Sequence, residues 1–176
     1  IMSKRALVLG VGGMDGSYLA EILLEKGYEV HGLYRRSSNG NLQRIRHILD
    51  RITLHQGDLA DSLSVDRIVR EIRPQEIYNE ADQDHIGWSY NIPAYSLDIT
   101  AGAVGRLLET VLRFDETIRV FQPVSSTIFG DADAPQDETT RLNPQSPYAC
   151  AKAHAYHLCR YYRTVCGMFV SVGIMY

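Results

Sequence analysis

The feature that most restricts the fold of this chain is a glycine-rich segment near its beginning. An apolar run of strand length occupies residues 5–9. It leads directly into Gly10, Gly13 and Gly16, after which apolar residues recur at helical spacing. Because these three positions lack side chains, the backbone can turn tightly and approach a diphosphate, and the free N–H groups at the helix start suit such an anion. The segment therefore predicts a strand, a turn and a helix that bind a dinucleotide, with a purely structural turn as the alternative.

Composition limits the remaining possibilities. The chain has 176 residues, of which 45% are hydrophobic and 22% are charged, which is enough for one globular domain with a core. Its net charge of -3 provides no basic surface for nucleic acid, and no apolar run approaches the ~20 residues of a membrane span. The three cysteines are an odd number without C-x-x-C spacing, so they predict neither disulfides nor a zinc site. We expect a cytoplasmic protein with no metal, no nucleic acid and no membrane partner.

Strand and helix patterns alternate along the rest of the chain. We predict further strands at residues 29–34, 52–55, 76–79, 118–122 and 168–174. We predict helices at residues 42–49, between an Asp61-Ser62 cap and Pro74, around residues 104–111, and at residues 147–164. Such alternation predicts an α/β fold of the Rossmann type, a doubly wound parallel sheet with helices on both faces. Ligands of these sheets bind at the carboxyl ends of the strands, so the residues that follow each strand are candidates for a site.

Two of these strand ends carry candidate cofactor ligands. The second strand is followed by Arg35, Arg36, Ser37 and Ser38. Arginine at this position favours the 2′-phosphate of NADP, which the planar guanidinium binds bidentately, whereas a NAD-binding protein carries an acid there. A solvated basic pair is the alternative. After the third strand, Asp58 is placed to accept a hydrogen bond from adenine, although a turn residue or helix cap fits as well.

A second signature lies downstream, after the fifth strand and at the start of the long helix. Tyr148 and Lys152 are four residues apart and therefore share one helix face. There the ammonium can stabilise a phenolate, which lowers the pKa of the tyrosine and makes it a general base near neutral pH. Ser125 can hold the oxygen of a sugar hydroxyl while its proton is removed. A tyrosine and a lysine at this spacing also occur in purely structural helices.

Together these residues resemble the extended short-chain dehydrogenase/reductases that act on nucleotide sugars, and within them the GDP-mannose 4,6-dehydratases. The similar segments, which span nearly the whole chain, are Gly10 to Glu21, Leu24 to Gly32, Arg35 to Ser38, Gly57 to Leu59, and Ser146 to Tyr148 with Lys152. The resemblance implies an NADP-binding Rossmann domain over residues 1–176, a nucleotide-sugar substrate and a homodimer or larger homo-oligomer. It also implies a reaction in which hydride leaves C4 of the hexose, water is lost across C5 and C6, and the hydride returns to C6.

The resemblance also implies the residues of the site. The implied cofactor ligands are Gly10, Val11, Gly12, Gly13, Met14, Asp15, Arg35, Arg36, Ser37, Ser38, Asp58, Leu59, Glu80, Ala81, Asp82, Gln83, Asp84, Tyr95, Tyr148 and Lys152. The implied catalytic residues are Ser125, Thr127, Tyr148 and Lys152. In such an enzyme Tyr148 is the base, Lys152 tunes it and binds the ribose, and Ser125 binds the reacting oxygen.

The chain departs from the dehydratase pattern in three places. A dehydratase has a glutamate for the elimination where this chain has Thr127, and residues 125–130 are closer to the S-x-T-V-Y-G pattern of nucleotide-sugar 4-epimerases. The segment Asn79 to Asp84 brings three carboxylates close to the expected cofactor, whose charge they oppose unless they face solvent. The chain also ends about halfway along the family pattern, so we expect most of the substrate subdomain to be absent. A 4-epimerase or reductase and a non-catalytic NADP-binding module are therefore the alternatives.

Overall fold

One parallel sheet organises the structure. The computed structural model describes residues 3–38 and 40–176, and these residues form six strands. The strands are β1 (Arg5–Leu9), β2 (Glu29–Tyr34), β3 (Thr53–Gln56), β4 (Glu76–Asn79), β5 (Arg119–Ser125) and β6 (Val170–Met175). Their order across the sheet is β3-β2-β1-β4-β5-β6, and each neighbouring pair is parallel. The doubly wound α/β fold expected from the sequence is therefore confirmed.

Helices connect the strands on both faces of the sheet. They are α1 (Met14–Glu25), α2 (Ser62–Ile72), α3 (Ile86–Ser89), α4 (Pro93–Leu97), α5 (Ala103–Phe114) and α6 (Pro147–Thr164). The described residues also form two 3₁₀ helices, Gln43–Ile48 and Ser126–Phe129, and one π-helical turn, Asp98–Gly102. As predicted, the Asp61 side chain caps α2 by accepting a hydrogen bond from Leu63 N at 3.2 Å. Within the described ranges, no helix has both the length and the apolar character needed to span a membrane.

Residues 42–49 and 86–97 differ from the sequence prediction, and the helical turns Asp98–Gly102 and Ser126–Phe129 are not predicted either. Residues 42–49, expected to form an α-helix, contain the 3₁₀ helix Gln43–Ile48. Its buried residues Ile45 and Ile48 are three apart, and this spacing lines up on one face of a helix with three residues per turn. The sequence predicts no helix within residues 86–97, whereas α3 and α4 lie there. Most of their large apolar side chains are exposed, so these short helices show no amphipathic periodicity.

Apolar side chains cover both faces of the sheet. Successive residues of a strand point to opposite faces. Leu7 and Leu9 of β1 accordingly join a core built with α2, α5 and α6. Ala6 and Val8 join a second core, built with α1 and the 3₁₀ helix after β2. All four side chains are fully buried, which explains why the sequence of β1 is a continuous apolar run.

The direction of the connections changes at β1. Strands β2 and β3 lie on one side of β1, and β4, β5 and β6 lie on the other side. Chain segments that leave the carboxyl ends of β1 and β4 therefore diverge and leave a crevice, which is where ligands of such sheets bind. The glycine turn after β1 and residues 80–85 after β4 border this crevice.

Candidate functional site

Gly10 and Gly16 are two of the positions around the turn after β1 where a side chain would not fit. Gly10 has a φ angle of +78°, in the left-handed region, and a Cβ atom there would lie 2.8 Å from the carbonyl oxygen of Glu80. A Cβ atom at Gly16 would lie 2.4 Å from the carbonyl oxygen of Gly10, so the start of α1 packs directly against the turn. The N-cap of α1 is Gly13, which has no side chain to cap the N–H groups of the first turn. These groups are therefore available to an anion.

A cavity of about 870 Å³ extends from this turn to the start of α6. It is lined by most of the residues that the sequence singles out, namely Gly10, Gly12, Gly13, Asp15, Arg35, Asp58, Leu59, Glu80, Ala81, Asp82, Gln83, Asp84, Tyr95, Ser125, Tyr148 and Lys152. They follow the carboxyl ends of β1 to β5 or lie on α4 and α6. The fold thus gathers the glycine turn and the tyrosine–lysine pair, which are distant in sequence, around one space.

Four of the expected site residues, Val11, Met14, Ser38 and Thr127, line neither this cavity nor the one beside it. Val11 is fully buried and its side chain packs against Gly32. Met14 and Ser38 are exposed on the surface. Thr127 lies on the 3₁₀ helix that follows β5, and its buried hydroxyl has no hydrogen-bond partner among residues 3–38 and 40–176. The catalytic role that the resemblance implies for Thr127 stays a prediction.

The two arginines after β2 line different spaces. Arg35 lines the main cavity, and its Nη1 donates to Tyr95 Oη at 3.2 Å. Arg36 lines a neighbouring cavity of about 520 Å³, together with Ser37 and Arg46. Arg46 could not be found from the sequence, because nothing in the spacing shows that the 3₁₀ helix after β2 folds back beside this strand. Three guanidinium groups therefore lie around two adjoining spaces.

Asp58 shapes a turn, as one of its two predicted roles requires, and its contact with adenine stays a prediction. It lines the main cavity, and its Oδ1 also accepts a hydrogen bond from Ala60 N at 3.0 Å, which shapes the turn after β3. The carbonyl oxygen of the next residue, Leu59, accepts from Arg106 Nη2 at 3.1 Å. Arg106 also pairs with Asp98 at 2.7 Å. These contacts tie the loop after β3 to α5 and fix this wall of the cavity.

Ser125, Tyr148 and Lys152 meet where α6 begins. The helix starts at Pro147, and the Ser146 side chain caps its first turn. This start places Tyr148 and Lys152 on one face, with Lys152 Nζ 5.6 Å from the centre of the Tyr148 ring. Ser125, whose Oγ accepts a hydrogen bond from Thr127 N at 3.2 Å, lines the cavity beside them. The tyrosine and lysine therefore adopt the arrangement that their spacing predicts.

The pKa of Tyr148 is raised, which is opposite to the lowering expected from the sequence. Burial of the phenol is the main cause, and the negative charges of Asp82 and Asp84 raise the pKa further. The neighbouring Ser125 hydroxyl acts in the lowering direction but does not reverse the shift. The ammonium of Lys152 cannot act as a free positive charge, because its Nζ lies 2.6 Å from Asp82 Oδ2. Tyr148 is therefore a protonated phenol at neutral pH.

The three carboxylates after β4 have three different surroundings. Asp82 faces inward, where it pairs with the lysine ammonium and its Oδ1 accepts a hydrogen bond from Thr100 Oγ1 at 2.5 Å. Glu80 is partly buried, and its pKa is raised by burial and by the charge of Asp15. Asp84 is exposed. The charge of Asp82 is thus balanced inside the protein rather than by solvent.

Comparison with known proteins decides among the expected families. A sequence model of the family described as GDP-mannose 4,6 dehydratase matches residues 7–176, which is nearly the whole chain. The chain belongs to the GDP-mannose 4,6-dehydratase family. GDP-mannose 4,6-dehydratase from Vibrio cholerae is 44% identical over 185 residues, and the alignment covers 99% of this chain and 50% of that relative. The chain spans about half the length of the curated dehydratases that it matches.

Similar solved structures include both reaction classes that the sequence leaves open. UDP-glucose 4-epimerase from Thermus thermophilus in complex with NAD is 27% identical, with a TM-score of 0.82, and the match covers 96% of this chain and 53% of that one. A double mutant of dTDP-glucose 4,6-dehydratase from Streptomyces venezuelae with NAD bound is 25% identical, with a TM-score of 0.84, and covers 96% and 54%. The fold of this dehydratase-family chain therefore does not distinguish elimination from epimerisation.

Some residues of the site carry no signal in the sequence of this dehydratase-family chain. Ile92 and Tyr176 also line the cavity, and Thr100 holds the Asp82 carboxylate. Thr100 lies in the π-helical turn Asp98–Gly102, where the wider turn changes which side chains face the loop after β4. Hydrophobic spacing does not indicate such a turn, although π-helical turns often occur at functional sites.

Proposed function

We propose that this chain is the cofactor-binding and proton-transferring part of an NADP-dependent GDP-mannose 4,6-dehydratase, a lyase. The observation that carries the proposal is that the glycine turn and the group of Ser125, Tyr148 and Lys152 line the same cavity. Membership of the family supports GDP-mannose as the nucleotide-sugar substrate. The proposal assigns cofactor binding and the proton at C4 to residues of this chain.

The residues present fit a nicotinamide dinucleotide. A Cβ atom at Gly10 or Gly16 would collide with backbone, so glycine keeps the turn as tight as the pyrophosphate site of a Rossmann fold requires. The N–H groups at the start of α1 would hold the pyrophosphate, and Asp58 and Tyr95 line the space beyond it. When bound, such a cofactor supplies an acceptor for hydride and later returns it.

We infer a preference for NADP over NAD from the charges near β2. Arg35 lines the main cavity, while Arg36 and Arg46 line the adjoining one. Within this cavity, the Arg35 guanidinium donates a hydrogen bond to the Tyr95 hydroxyl, which carries no charge. The 2′-phosphate of NADP would give these guanidinium groups a charge-assisted, bidentate partner, whereas NAD offers a hydroxyl in its place.

Ser125 and Tyr148 are the groups suited to the proton at C4. Ser125 would hold the sugar hydroxyl, and Tyr148, once its own proton has been lost, would take the hydroxyl proton as hydride leaves the same carbon. The raised pKa of Tyr148 means that this phenol gives up its own proton only when the charges around it change. The charged groups around Tyr148 therefore determine whether it can act as the base.

Thr127 favours a second candidate function, a nucleotide-sugar 4-epimerase or reductase. Both of these need chemistry at C4 alone, whereas elimination also needs a group that removes the C5 proton and one that protonates the C6 hydroxyl. A threonine hydroxyl does neither at neutral pH, and that of Thr127 is buried outside the cavity lining. In a dehydratase another group must serve, and Glu80 and Asp84 are carboxylates of the cavity that can transfer protons.

We also infer a homodimer in the cytoplasm. The contact we propose uses α5 and α6, which pack against each other and, with α2, border a groove of about 510 Å³. The charged residues of the groove include Glu109 and Arg113, which pair with each other within α5, so twofold packing of a second copy would not bury an unpaired charge from this pair. Sedimentation equilibrium of the purified chain measures its mass in solution. A mass of one chain at every concentration would contradict the dimer.

Turnover of GDP-mannose with NADP tests the proposed function, in the encoded protein that includes this chain. Tyr148→Phe keeps the ring and removes the hydroxyl that transfers the proton, so we expect a loss of roughly 10²-fold or more. Tyr161→Phe removes a hydroxyl from an exposed position of the same helix and is expected to leave the rate unchanged. Equal rates for the protein with Tyr148 and the protein with Tyr148→Phe would contradict the proposal.

A further inference from the structure

Lys152 and Asp82 form a buried ion pair, and the proposed reaction assigns no role to Asp82. Lys152 Nζ lies 2.6 Å from Asp82 Oδ2, and the two side chains are only 6% and 13% exposed. Burial removes most of the hydration of both charges, so such a pair persists only where neighbouring groups satisfy the remaining hydrogen-bonding atoms. The surroundings of the pair therefore decide whether it is a fixed part of the site.

Neighbours on two other elements hold the pair in place. Thr100 Oγ1, in the π-helical turn Asp98–Gly102, donates to Asp82 Oδ1 at 2.5 Å. Lys152 Nζ donates to the carbonyl oxygen of Pro123 on β5 at 3.2 Å. Each partner thus has a second contact that fixes its direction, and the ammonium remains 5.6 Å from the centre of the Tyr148 ring.

We propose that Asp82 is a positioning residue that holds the Lys152 ammonium beside the Tyr148 ring and balances its charge. In this arrangement the carboxylate offsets the effect of the ammonium on the phenol. Without the carboxylate, the full positive charge of Lys152 would act on the phenol oxygen and stabilise the phenolate. The inference rests on the proposed function only for the role of Tyr148 in proton transfer.

The other charged groups near Tyr148 provide a control for this inference. Asp84 lies in the same loop as Asp82 and has the same charge, but it is exposed and its field is screened by solvent. Glu80 and His85 line the same cavity, and Ser125 contributes a neutral hydroxyl. A substitution at Asp82 should therefore act on Tyr148 more strongly than the same substitution at Asp84.

The first experiment measures the ionisation of the phenol directly. A fluorinated tyrosine, whose phenol ionises nearer to neutral pH than tyrosine, replaces Tyr148, and ¹⁹F NMR follows its titration in the 176-residue chain. We expect Asp82→Asn to lower the midpoint by about one pH unit and Asp84→Asn to lower it distinctly less. An unchanged midpoint, or equal shifts for the two variants, would overturn the proposal. Asp82→Ser is the second neutral variant, with circular dichroism as the check that each chain is folded.

The second experiment needs no substitution at the site. The sequence contains three lysines, Lys4, Lys26 and Lys152, of which Lys4 and Lys26 are exposed. In ¹⁵N NMR of the side-chain ammonium groups, the proposal predicts one signal whose protons exchange slowly with water, and Lys4→Arg and Lys26→Arg leave it in place. Equal, fast exchange at all three lysines would overturn the proposal. Neither experiment involves cofactor, substrate or turnover, so the result is independent of whether the proposed reaction is correct.

Discussion

Arg35 and Tyr95 lie 60 positions apart in the chain, yet Arg35 Nη1 donates a hydrogen bond to the Tyr95 hydroxyl at 3.2 Å. The arginine follows β2 and the tyrosine lies on α4, and both line the main cavity. The contact fixes the position of the guanidinium without neutralising it, because a phenol hydroxyl carries no charge at neutral pH. An anion that enters this part of the cavity therefore meets a positioned positive charge.

The positioned charge leads to a prediction about cofactor preference. Arg35→Ala combined with Arg36→Ala should weaken NADPH binding by ~1.5 to 3 kcal/mol per lost contact and leave NADH binding nearly unchanged, since only NADPH carries the 2′-phosphate. Fluorescence titration of the purified chain with each cofactor measures both affinities. Arg44→Ala removes an exposed arginine that lines neither cavity and serves as the control. A preference for NADPH that persists in the double variant would show that the two arginines form a solvated pair.

The tight packing of α1 on the glycine turn makes a second prediction. Gly16→Ala should lower the free energy of unfolding by ~1 to 3 kcal/mol, because the new Cβ atom would lie 2.4 Å from the carbonyl oxygen of Gly10. Gly105→Ala, within α5, meets its nearest neighbour at an ordinary 3.4 Å and should stabilise the chain by up to ~1 kcal/mol through helix propensity. Urea denaturation measures both values. Equal stability changes at the two positions would show that the turn relaxes around a side chain.

Alkaline stability provides a third prediction, from Tyr162. Burial, together with the hydrogen bond that its hydroxyl donates to Glu109 Oε2 at 3.0 Å, raises the pKa of Tyr162 to about 12. The folded state therefore binds this proton more tightly than the unfolded state, whose tyrosine pKa is about 10. The corresponding stability is complete below pH 10 and is lost as pH rises through 12. Tyr162→Phe should make the decline between these values shallower, whereas Tyr18→Phe, at an exposed position, should not.

Thr127 gives a fourth prediction, which concerns the balance between the two reactions. In the encoded protein that includes this chain, oxidation at C4 should proceed faster than loss of water, because threonine cannot transfer a proton at neutral pH. Thr127→Glu introduces a longer side chain, which can extend beyond the buried position of the threonine hydroxyl. It should raise the rate of elimination by up to ~10²-fold, the lower range for general acid–base assistance, without a similar rise in C4 oxidation. Thr127→Gln introduces a side chain nearly as large as that of glutamate but without its acid group. It should change the rate of neither C4 oxidation nor loss of water. Single-turnover experiments that follow the 4-keto sugar and the 4-keto-6-deoxy product measure the rates of the two steps separately.

The sequence predicts the fold well because its signals are local. The apolar run of β1, the glycines after it and the Pro147 start of α6 each follow from backbone geometry, and the structure places them as expected. The charge interactions of the site could not be predicted in this way, because they depend on contacts between residues that are distant in sequence. Lys152 was expected to lower the pKa of Tyr148, and it does not, since Asp82 reaches it from a loop 70 positions earlier. Thr100 completes that contact from a π-helical turn, which leaves no periodic trace in the sequence.

The most direct test of the account follows one hydrogen atom. GDP-mannose labelled with deuterium at C4 is incubated with NADP and the encoded protein that includes this chain, and the product is analysed by NMR and mass spectrometry. The account predicts a 4-keto-6-deoxy sugar nucleotide with deuterium at C6, and loss of this product in Tyr148→Phe. A hexose that keeps its water and carries deuterium at C4 in the inverted configuration would contradict the dehydratase assignment and identify C4 chemistry alone.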